Sequence, residues 1–190
     1  MFVRIEEIQE PSLKLQREFS PAMLEEIFEG VENISWVSAS PLSAKLQKID
    51  GKVLLEAELA LQLRTVCARC LEEAPFPLPV SFSTTLIPKT NYETVLKQFG
   101  QTEDFERAGS FHMALAEIEP FDGKTVPLLH LVKEQVLLAL PISVLCSENC
   151  KGLCTRCGCN FNADRCECEQ RLVDPRLAKL KEIHLPKSKP

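Results

Sequence analysis

The chain has 190 residues, of which 45% are hydrophobic, and a formal net charge of −5. This length suits one domain, or one domain with a small appendage. No window approaches the ~18 uncharged apolar residues of a membrane span, and the N-terminus, MFVRIEEIQE, is acidic where a signal peptide carries a basic segment. These features argue against a membrane protein and predict a cytoplasmic one.

Charge is divided unevenly along the chain. Residues 1–140 contain 13 Lys and Arg against 21 Asp and Glu, whereas residues 141–190 contain 9 against 6. An acidic body and a basic C-terminal part indicate two faces with different partners. Metal-bound thiolates would offset some of the basic charge, because four thiolates around Zn²⁺ carry about −2.

The N-terminal part predicts a strand and a short helix. Fragments of alternation within residues 1–19 are typical of a strand and its exit. Ser20 and Pro21 then suit the N-cap and first turn of a helix, which we expect over residues 22–29, before Gly30. A helix of about two turns depends on tertiary packing, so we expect this one to lie against a sheet.

A β-hairpin is the clearest fold signal. Residues 34–49 and 52–66 are strand-like runs joined at Asp50-Gly51, and an Asp-Gly pair between two such runs is a strong hairpin cue. One face of the second run is apolar: Val53, Leu55, Ala57, Leu59, Leu61 and Leu63. The opposite face is polar: Glu56, Glu58, Gln62 and Arg64. This pattern predicts an antiparallel strand with one wet face.

Beyond the hairpin the signals are mixed. A third strand is predicted over residues 76–86. Prolines at alternate positions opposite its apolar face indicate an edge strand or an irregular start: Pro75, Pro77 and Pro79. We interpret residues 88–109 as a long surface loop with a helical turn near 92–99, followed by a further run at 111–118.

The last elements are helical. Residues 126–140 predict a helix ended by Pro141, with an apolar stripe: Leu129, Val132, Val136, Leu137 and Leu140. A short helix over residues 174–180 and a disordered tail over 181–190 follow. The predicted fold is α+β, with a twisted antiparallel sheet backed by helices in residues 1–145. Residues 146–180 are predicted to form a Cys-rich, zinc-ribbon-like module.

Nine cysteines dominate the chemistry of the sequence. In a reducing cytosol, clustered thiols at short spacing mark a metal site more often than a disulfide framework. With Cys159 set aside, the other eight form four close pairs: Cys67 and Cys70, Cys146 and Cys150, Cys154 and Cys157, and Cys166 and Cys168. Structural zinc takes four ligands in a tetrahedron. Four pairs therefore suit two Zn²⁺ ions with four cysteine ligands each.

Four pairs can combine into two sites in three ways, and chain spacing favours one of them. Only eight residues separate Cys157 from Cys166, so the last two pairs predict a compact local site. Turn-forming side chains lie between them: Asn160, Asn162 and Asp164. The first two pairs would form the other site, with residues 151–153 as the hinge between the sites. Sites of four thiolates also accept iron, so the metal stays open at this point.

The cysteines do not predict an enzyme. A thioredoxin-like dithiol opens a helix after a strand, whereas Cys67 and Cys70 lie between apparent strands. Catalytic zinc keeps an open position, usually with a His or carboxylate ligand, and the histidines lie outside the cluster: His112, His130 and His184. The chain also lacks a P-loop, a dinucleotide-binding turn and a nucleophile elbow. We expect no catalytic residues and no small-molecule substrate.

Basic residues are interleaved with the cysteines: Arg69, Lys151, Arg156 and Arg165. A metal loop fixes such side chains at defined positions, which suits contacts to the phosphates of folded RNA. The alternative is that they only balance thiolate charge or stay solvated, and the sequence by itself slightly favours this alternative.

Several motifs together resemble the YceD family, the bacterial large-subunit ribosomal RNA accumulation proteins. The motifs are Cys67-Ala-Arg-Cys70-Leu-Glu, Glu134-Gln-Val-Leu-Leu-Ala-Leu-Pro141, Cys150-Lys-Gly-Leu-Cys154-Thr-Arg-Cys157-Gly and Asp174-Pro-Arg-Leu-Ala-Lys-Leu180. In order and spacing the resemblance covers about residues 50–180. The chain departs from it at Cys159 and at Phe161, where Leu is more usual. Family members that lack the 154–168 portion imply two independent sites.

The resemblance implies a non-catalytic factor in 23S rRNA accumulation and large-subunit assembly. Its implied partner is 23S rRNA, an assembly intermediate or a ribosomal protein. Two other hypotheses stay open, namely a zinc-stapled module that binds another protein and, less favoured, a thiol redox protein. The family defines no RNA-contact surface, so the four basic residues are a hypothesis from the sequence alone.

Overall fold

The computed structural model of the chain describes residues 1–8, 11–98 and 118–168. The strands are β1 (Val3–Arg4), β2 (Leu13–Arg17), β3 (Ile34–Ala39), β4 (Leu42–Ile49), β5 (Lys52–Val66), β6 (Glu73–Pro88), β7 (Ile118–Phe121) and β8 (Thr125–Val126). The helices are α1 (Pro21–Ile27), α2 (Lys89–Gln98) and α3 (Leu128–Ala139), with a 3-10 turn at Ile5–Glu7. The chain is α+β, as predicted. The predicted helix at 174–180, the tail at 181–190 and most of the run at 111–118 lie outside the described residues.

Six strands form one sheet around the long strands β5 and β6. The order is β2-β4-β5-β6-β7, with β3 pairing with β5, and β1 and β8 form a separate pair. Every pair in the large sheet is antiparallel except β6 and β7, which are parallel. A parallel neighbour needs a long connection in the sequence, and β6 ends at Pro88 whereas β7 begins at Ile118. The sheet is therefore mixed, and the prediction of an antiparallel sheet is wrong at this edge.

The Asp50-Gly51 hairpin is confirmed, but its first arm is divided. Residues 34–49 form β3 and β4 rather than one strand, with the break at Ser40-Pro41. Ser40 N donates to Ala60 O at 2.8 Å, and Ser40 Oγ accepts from Ala60 N at 2.9 Å. The serine side chain thus replaces a backbone acceptor where Pro41 interrupts the ladder.

One face of β5 forms the centre of the core, as predicted. All six of its apolar side chains are at most 5% exposed: Val53, Leu55, Ala57, Leu59, Leu61 and Leu63. Helices α1 and α3 belong to the same core. The α3 side chains that it buries are Leu128, Leu129, Leu131, Val132 and Val136. Leu137 of the predicted stripe is not part of this buried face and is 36% exposed.

The proline-rich start of β6 lies on an edge, as predicted. Between Glu73 and Thr84 the only strand paired with β6 among the described residues is β5. Alternate residues of an antiparallel strand direct their N–H groups to the same side. Pro75, Pro77 and Pro79 therefore remove donors from the outer edge only, which leaves the ladder with β5 intact and makes the edge a poor template for another strand.

Helix α2 was not expected at its observed length. The helical turn predicted near 92–99 lies within this helix as far as residue 98. The interpretation as a loop is wrong for the residues just before that turn, because α2 begins at Lys89 and runs to Gln98 against β6 and β7. Few apolar positions mark this helix in the sequence, because its position depends on the neighbouring strands. No helix within residues 1–8, 11–98 and 118–168 is both long and apolar enough to cross a bilayer.

The turn before β8 depends on the carboxylate of Asp122. Its Oδ1 accepts hydrogen bonds from Lys124 N at 2.7 Å and Thr125 N at 2.6 Å, and its Oδ2 accepts from Thr125 Oγ1 at 2.6 Å. The Thr125 hydroxyl, followed by the Thr125 and Lys124 N–H groups, lowers the pKa of Asp122 to about 2. The ionised side chain therefore stabilises the folded turn.

We expect Asp122→Asn to lower stability at neutral pH and to change its pH dependence. The Asp122 pKa is 3.8 in its ordinary state and about 2 when folded, so the carboxylate stabilises the wild type fully above about pH 4. That contribution disappears as the pH falls from about 4 to 2. Urea unfolding of both proteins at pH 7, 4, 3 and 2 measures the difference.

The matched control is Asp50→Asn, an equally conservative change in the other Asp-Gly turn. The Asp50 carboxylate has no hydrogen bond to any described residue, so we expect its substitution to cost less stability at pH 7 than Asp122→Asn does. A wild-type advantage over Asp122→Asn that persists undiminished at pH 2 would contradict the role of the charge.

Candidate metal centres

The first centre consists of Cys67, Cys70, Cys146 and Cys150. The first two lie in the turn between β5 and β6, and the other two follow α3. All four sulfurs lie within 4.8 Å of one another. Sγ of Cys67 is 3.8 Å from Sγ of Cys150, and Sγ of Cys70 is 3.5 Å from Sγ of Cys146.

The second centre consists of Cys154, Cys157, Cys166 and Cys168, whose sulfurs also lie within 4.8 Å of one another. Sγ of Cys157 is 3.5 Å from Sγ of Cys166. The predicted turn between these two residues is present, since Ala163 N and Asp164 N both donate to Asn160 O. The eight cysteines thus fall into the two groups of four that the spacing favours.

The sulfur separations fit a tetrahedral ion. A Zn–S bond of about 2.3 Å puts the sulfurs of a tetrahedral site about 3.8 Å apart, close to the 3.5 and 3.8 Å found here. A disulfide would need about 2.05 Å. The geometry of both centres therefore suits four thiolates around one ion.

The two Cys-x-Arg-Cys segments fold alike. In each, the N–H two residues after the first cysteine donates to its sulfur, and the N–H four residues after it donates to its carbonyl oxygen. The donors are Arg69 and Leu71 to Cys67, at 3.5 and 3.0 Å, and Arg156 and Gly158 to Cys154, at 3.5 and 2.9 Å. N–H groups aimed at a sulfur favour its thiolate form.

The residue that directly follows each Cys-x-Arg-Cys segment has a left-handed backbone conformation. Gly158 adopts φ +73° and Leu71 adopts φ +61°. Glycine does this at little cost, whereas an L side chain is strained there. The sequence marks the turn at Gly158 but gives no signal for it at Leu71, whose side chain is 66% exposed.

Within each centre the surroundings favour the thiolate form of some cysteines and oppose that of others. The Cys70 backbone N–H lowers the pKa of Cys67 to about 6, and the Cys157 and Arg156 backbone N–H groups lower that of Cys154 to about 6. The pKa of Cys150 is also lowered, so the first centre favours two of its thiolates. At Cys70 the Glu72 backbone favours the thiolate, but burial and the neighbouring sulfurs raise the pKa to about 12. Crowded thiolates repel one another, and a bound divalent cation removes this obstacle to ionisation.

The two centres differ in exposure. In the first centre Cys67, Cys70 and Cys150 are buried, whereas in the second only Cys154 is buried. Cys67, Cys70 and Cys150 also pack with Ala74 in a small apolar cluster of their own. The first centre is therefore part of the folded interior, and the second lies nearer the surface.

Residues 151–153 connect the centres, as predicted, but they are hydrogen-bonded rather than free. Lys151 N donates to Asn162 Oδ1 at 2.8 Å, and Phe161 N donates to Gly152 O at 3.0 Å. Asn162 Nδ2 lies 3.3 Å from Cys150 Sγ, and this amide is the main cause of a lowered Cys150 pKa. The spacing of the cysteines could not show this contact between the two centres.

The four basic residues singled out in the sequence are all exposed. Arg69 has an intramolecular partner, since its NH1 group donates to Cys150 O at 3.0 Å. Lys151, Arg156 and Arg165 form no ion pair within the described residues. Their side chains are therefore the ones available to an anionic partner.

The remaining candidates stay outside the centres. Cys159 is half-buried and belongs to neither group of four; burial, above all, raises its pKa. His130 pairs with Glu134 at 3.3 Å on the surface of α3. His112 and His184 lie outside the described residues.

Comparison with known proteins gives three curated relatives. The chain is 26% identical over 152 residues to the maize (Zea mays) "Large ribosomal RNA subunit accumulation protein YCED homolog 1, chloroplastic", covering 71% of this chain and 52% of that protein. It is 27% identical over 118 residues to the "Uncharacterized protein YlbN" of Bacillus subtilis (strain 168), covering 62% and 58%. A chloroplastic YCED homolog 1 from Arabidopsis thaliana is 33% identical over 55 residues, covering 29% and 17%.

The chain thus spans little more than half the length of the first two relatives. No solved structure matches it. The sequence model of a family described as "Large ribosomal RNA subunit accumulation protein YceD" matches residues 55–184, a span that contains both centres. The chain therefore belongs to the YceD family of large ribosomal RNA subunit accumulation proteins.

Proposed function

We propose that this protein is a non-catalytic ribosome-biogenesis factor that promotes accumulation of 23S rRNA during assembly of the large subunit. The observation that carries the proposal is the family match over residues 55–184. The relatives named for accumulation of large-subunit rRNA support the same role. The site of action is the cytoplasm of a bacterium or an equivalent compartment, such as the chloroplast of the plant relatives.

The two centres would each hold one zinc ion through four cysteine thiolates. Four sulfur ligands complete a tetrahedron and leave no position for a substrate, which is typical of structural rather than catalytic zinc. The ion supplies a cross-link: at the first centre it would join the β5–β6 turn to the segment after α3, between residues 76 positions apart. On this proposal the body, residues 1–145, supplies Cys67 and Cys70, and the metal-binding module, assigned to residues 146–180, supplies the other six ligands.

The module would present its basic side chains to RNA phosphates. Lys151, Arg156 and Arg165 are exposed near the second centre, and the residues around them are held by the hydrogen bonds of the metal loops. A fixed cation close to a phosphate contributes affinity without base specificity. Arg69 is a weaker candidate, because its guanidinium already donates to Cys150 O.

A protein-binding module is the second candidate function. Exposed apolar side chains lie close in sequence to the cysteines of the first centre, with Val66 45%, Leu71 66% and Ile142 107% exposed. Exposed apolar side chains of this size suit a contact with another protein. The zinc would then only hold the fold, and a ribosomal protein would be the partner.

Crosslinking in cells, followed by sequencing of the attached RNA, tests the main proposal. We expect large-subunit rRNA to be enriched well above small-subunit rRNA, which is present in the same cells and serves as an internal control. Equal recovery of the two rRNAs would contradict the proposal. Recovery of a single ribosomal protein without rRNA would favour the second candidate.

A further inference from the structure

Asn162 belongs to the second centre by sequence and contacts the first centre by its side chain. It lies in the loop between Cys157 and Cys166. Its Nδ2 donates to Cys150 Sγ at 3.3 Å and to Asn160 Oδ1 at 2.9 Å. Its Oδ1 accepts from Lys151 N at 2.8 Å. Because a backbone N–H can only donate, this last contact fixes the orientation of the amide and directs its NH₂ group toward the sulfur.

The position of Asn162 depends on the closure of its own loop. Phe161 N donates to Gly152 O, and Leu153 pairs with Asn160. The two ends of the loop are cysteines of the second centre, so an ion bound there would hold both ends together. Without that ion, ordering the loop costs conformational entropy, and the amide is less often at the sulfur.

A second contact joins the segment between the centres to the first centre. Gly152 has φ +76°, and a Cβ on it would lie 3.2 Å from Arg69 O. The segment between the centres therefore packs directly on the first Cys-x-Arg-Cys turn, whose Arg69 donates to Cys150 O at 3.0 Å. Side-chain and backbone contacts both converge on Cys150.

We propose that Asn162 is a positioning residue that couples the two centres, so that metal bound at the second centre strengthens retention of metal at the first. The inference rests on the assignment of both centres as zinc sites. Hydrogen bonds to metal ligands typically change metal affinity 10- to 100-fold. Since linkage is reciprocal, metal at the first centre strengthens retention at the second by the same factor.

The test compares Asn162→Asp with Asn149→Asp in the full, zinc-loaded chain under reducing conditions. Asn162→Asp keeps the acceptor for Lys151 N but replaces the donor at Cys150 Sγ with an oxygen. Asn149→Asp adds the same charge next to Cys150, from an exposed side chain with no hydrogen bond to a described residue. Chelator competition measures the zinc affinity of each centre. Because Cys157→Ser leaves only the first centre with four cysteines, the affinity measured in that variant is assigned to the first centre.

We expect Asn162→Asp to weaken the first centre about 10- to 100-fold and Asn149→Asp to change it little. In the Cys157→Ser background the effect of Asn162→Asp should shrink, because the loop is no longer held. With cobalt in place of zinc, loss of the N–H···S bond should move the sulfur-to-cobalt charge-transfer band to lower energy. If the Asn162→Asp chain does not bind zinc, Asn162→Ala takes its place in the comparison, because it removes the same N–H···S bond without adding a charge.

Equal affinities in Asn162→Asp and Asn149→Asp would overturn the coupling. An unchanged effect of Asn162→Asp in the Cys157→Ser background would overturn it as well, since Asn162 would then act on Cys150 without the second centre. Failure of the metal assignment is separately visible, because the wild-type chain would then hold fewer than two ions before any substitution is made.

Discussion

Cys67→Ser is expected to reduce the zinc content from two ions per chain to one and to lower the melting temperature of the body. Cys67 is fully buried at the end of β5, and the first centre closes a loop between Cys70 and Cys146, 76 positions apart. Releasing a cross-link over a loop of this length lowers the melting temperature of a chain this size by about 10 °C. Trp36, the only tryptophan, lies in β3 opposite Leu63 of β5, and its fluorescence reports on the body.

Cys157→Ser should also remove one ion but lower the Trp36 transition much less than Cys67→Ser does, because the first centre keeps its ion and loses only its coupling to the second. Its side chain is exposed, and the loop that it closes is short and local. Cys159→Ser is the control for the loss of a thiol, since Cys159 lies in neither centre and two ions should remain. Elemental analysis counts the zinc in each chain. Equal destabilisation by Cys67→Ser and Cys157→Ser would contradict the structural role of the first centre.

The grouping of the cysteines could be predicted because it depends on chain reach alone. Eight intervening residues allow Cys157 and Cys166 to approach one another, and the remaining two pairs must then meet. The hairpin at Asp50-Gly51 and the apolar face of β5 were predictable for a similar reason. Turn preference and strand alternation are local properties, and the large apolar core enforces them.

Features that depend on distant contacts could not be predicted in this way. The parallel pairing of β7 with β6 joins strands that are far apart in the sequence. Helix α2, which follows β6, has too few apolar positions for the sequence to predict its length. At the break at Ser40-Pro41, Ala60 N of β5 donates to the Ser40 side chain, a contact between residues 20 positions apart that the local sequence does not indicate. Asn162 read as an ordinary turn residue, and its role toward Cys150 required the relative position of two loops.

Reversing the charge of Lys151, Arg156 and Arg165 together is expected to weaken RNA binding strongly and to reduce its salt dependence. Each phosphate contact contributes about 0.7 to 0.9 to the slope of log affinity against log salt concentration. Loss of three contacts should therefore reduce the magnitude of that slope by about 2 to 3. Filter binding of transcribed large-subunit rRNA fragments across a salt series measures both the affinity and the slope.

The matched control is Lys14→Glu, Arg17→Glu and Lys48→Glu, three exposed cations on β2 and β4. This triple variant changes the net charge by the same amount but lies on the sheet, away from the metal centres. If the phosphates are bound by the module, the control should lose affinity only through its net charge and should keep most of the slope. Equal loss in the two triple variants would show that the body charge, and not the metal-ordered module, controls RNA binding. If the affinity of the wild-type chain does not depend on salt, the phosphate contacts are contradicted, and the exposed apolar side chains of Val66, Leu71 and Ile142 become the better-supported binding surface.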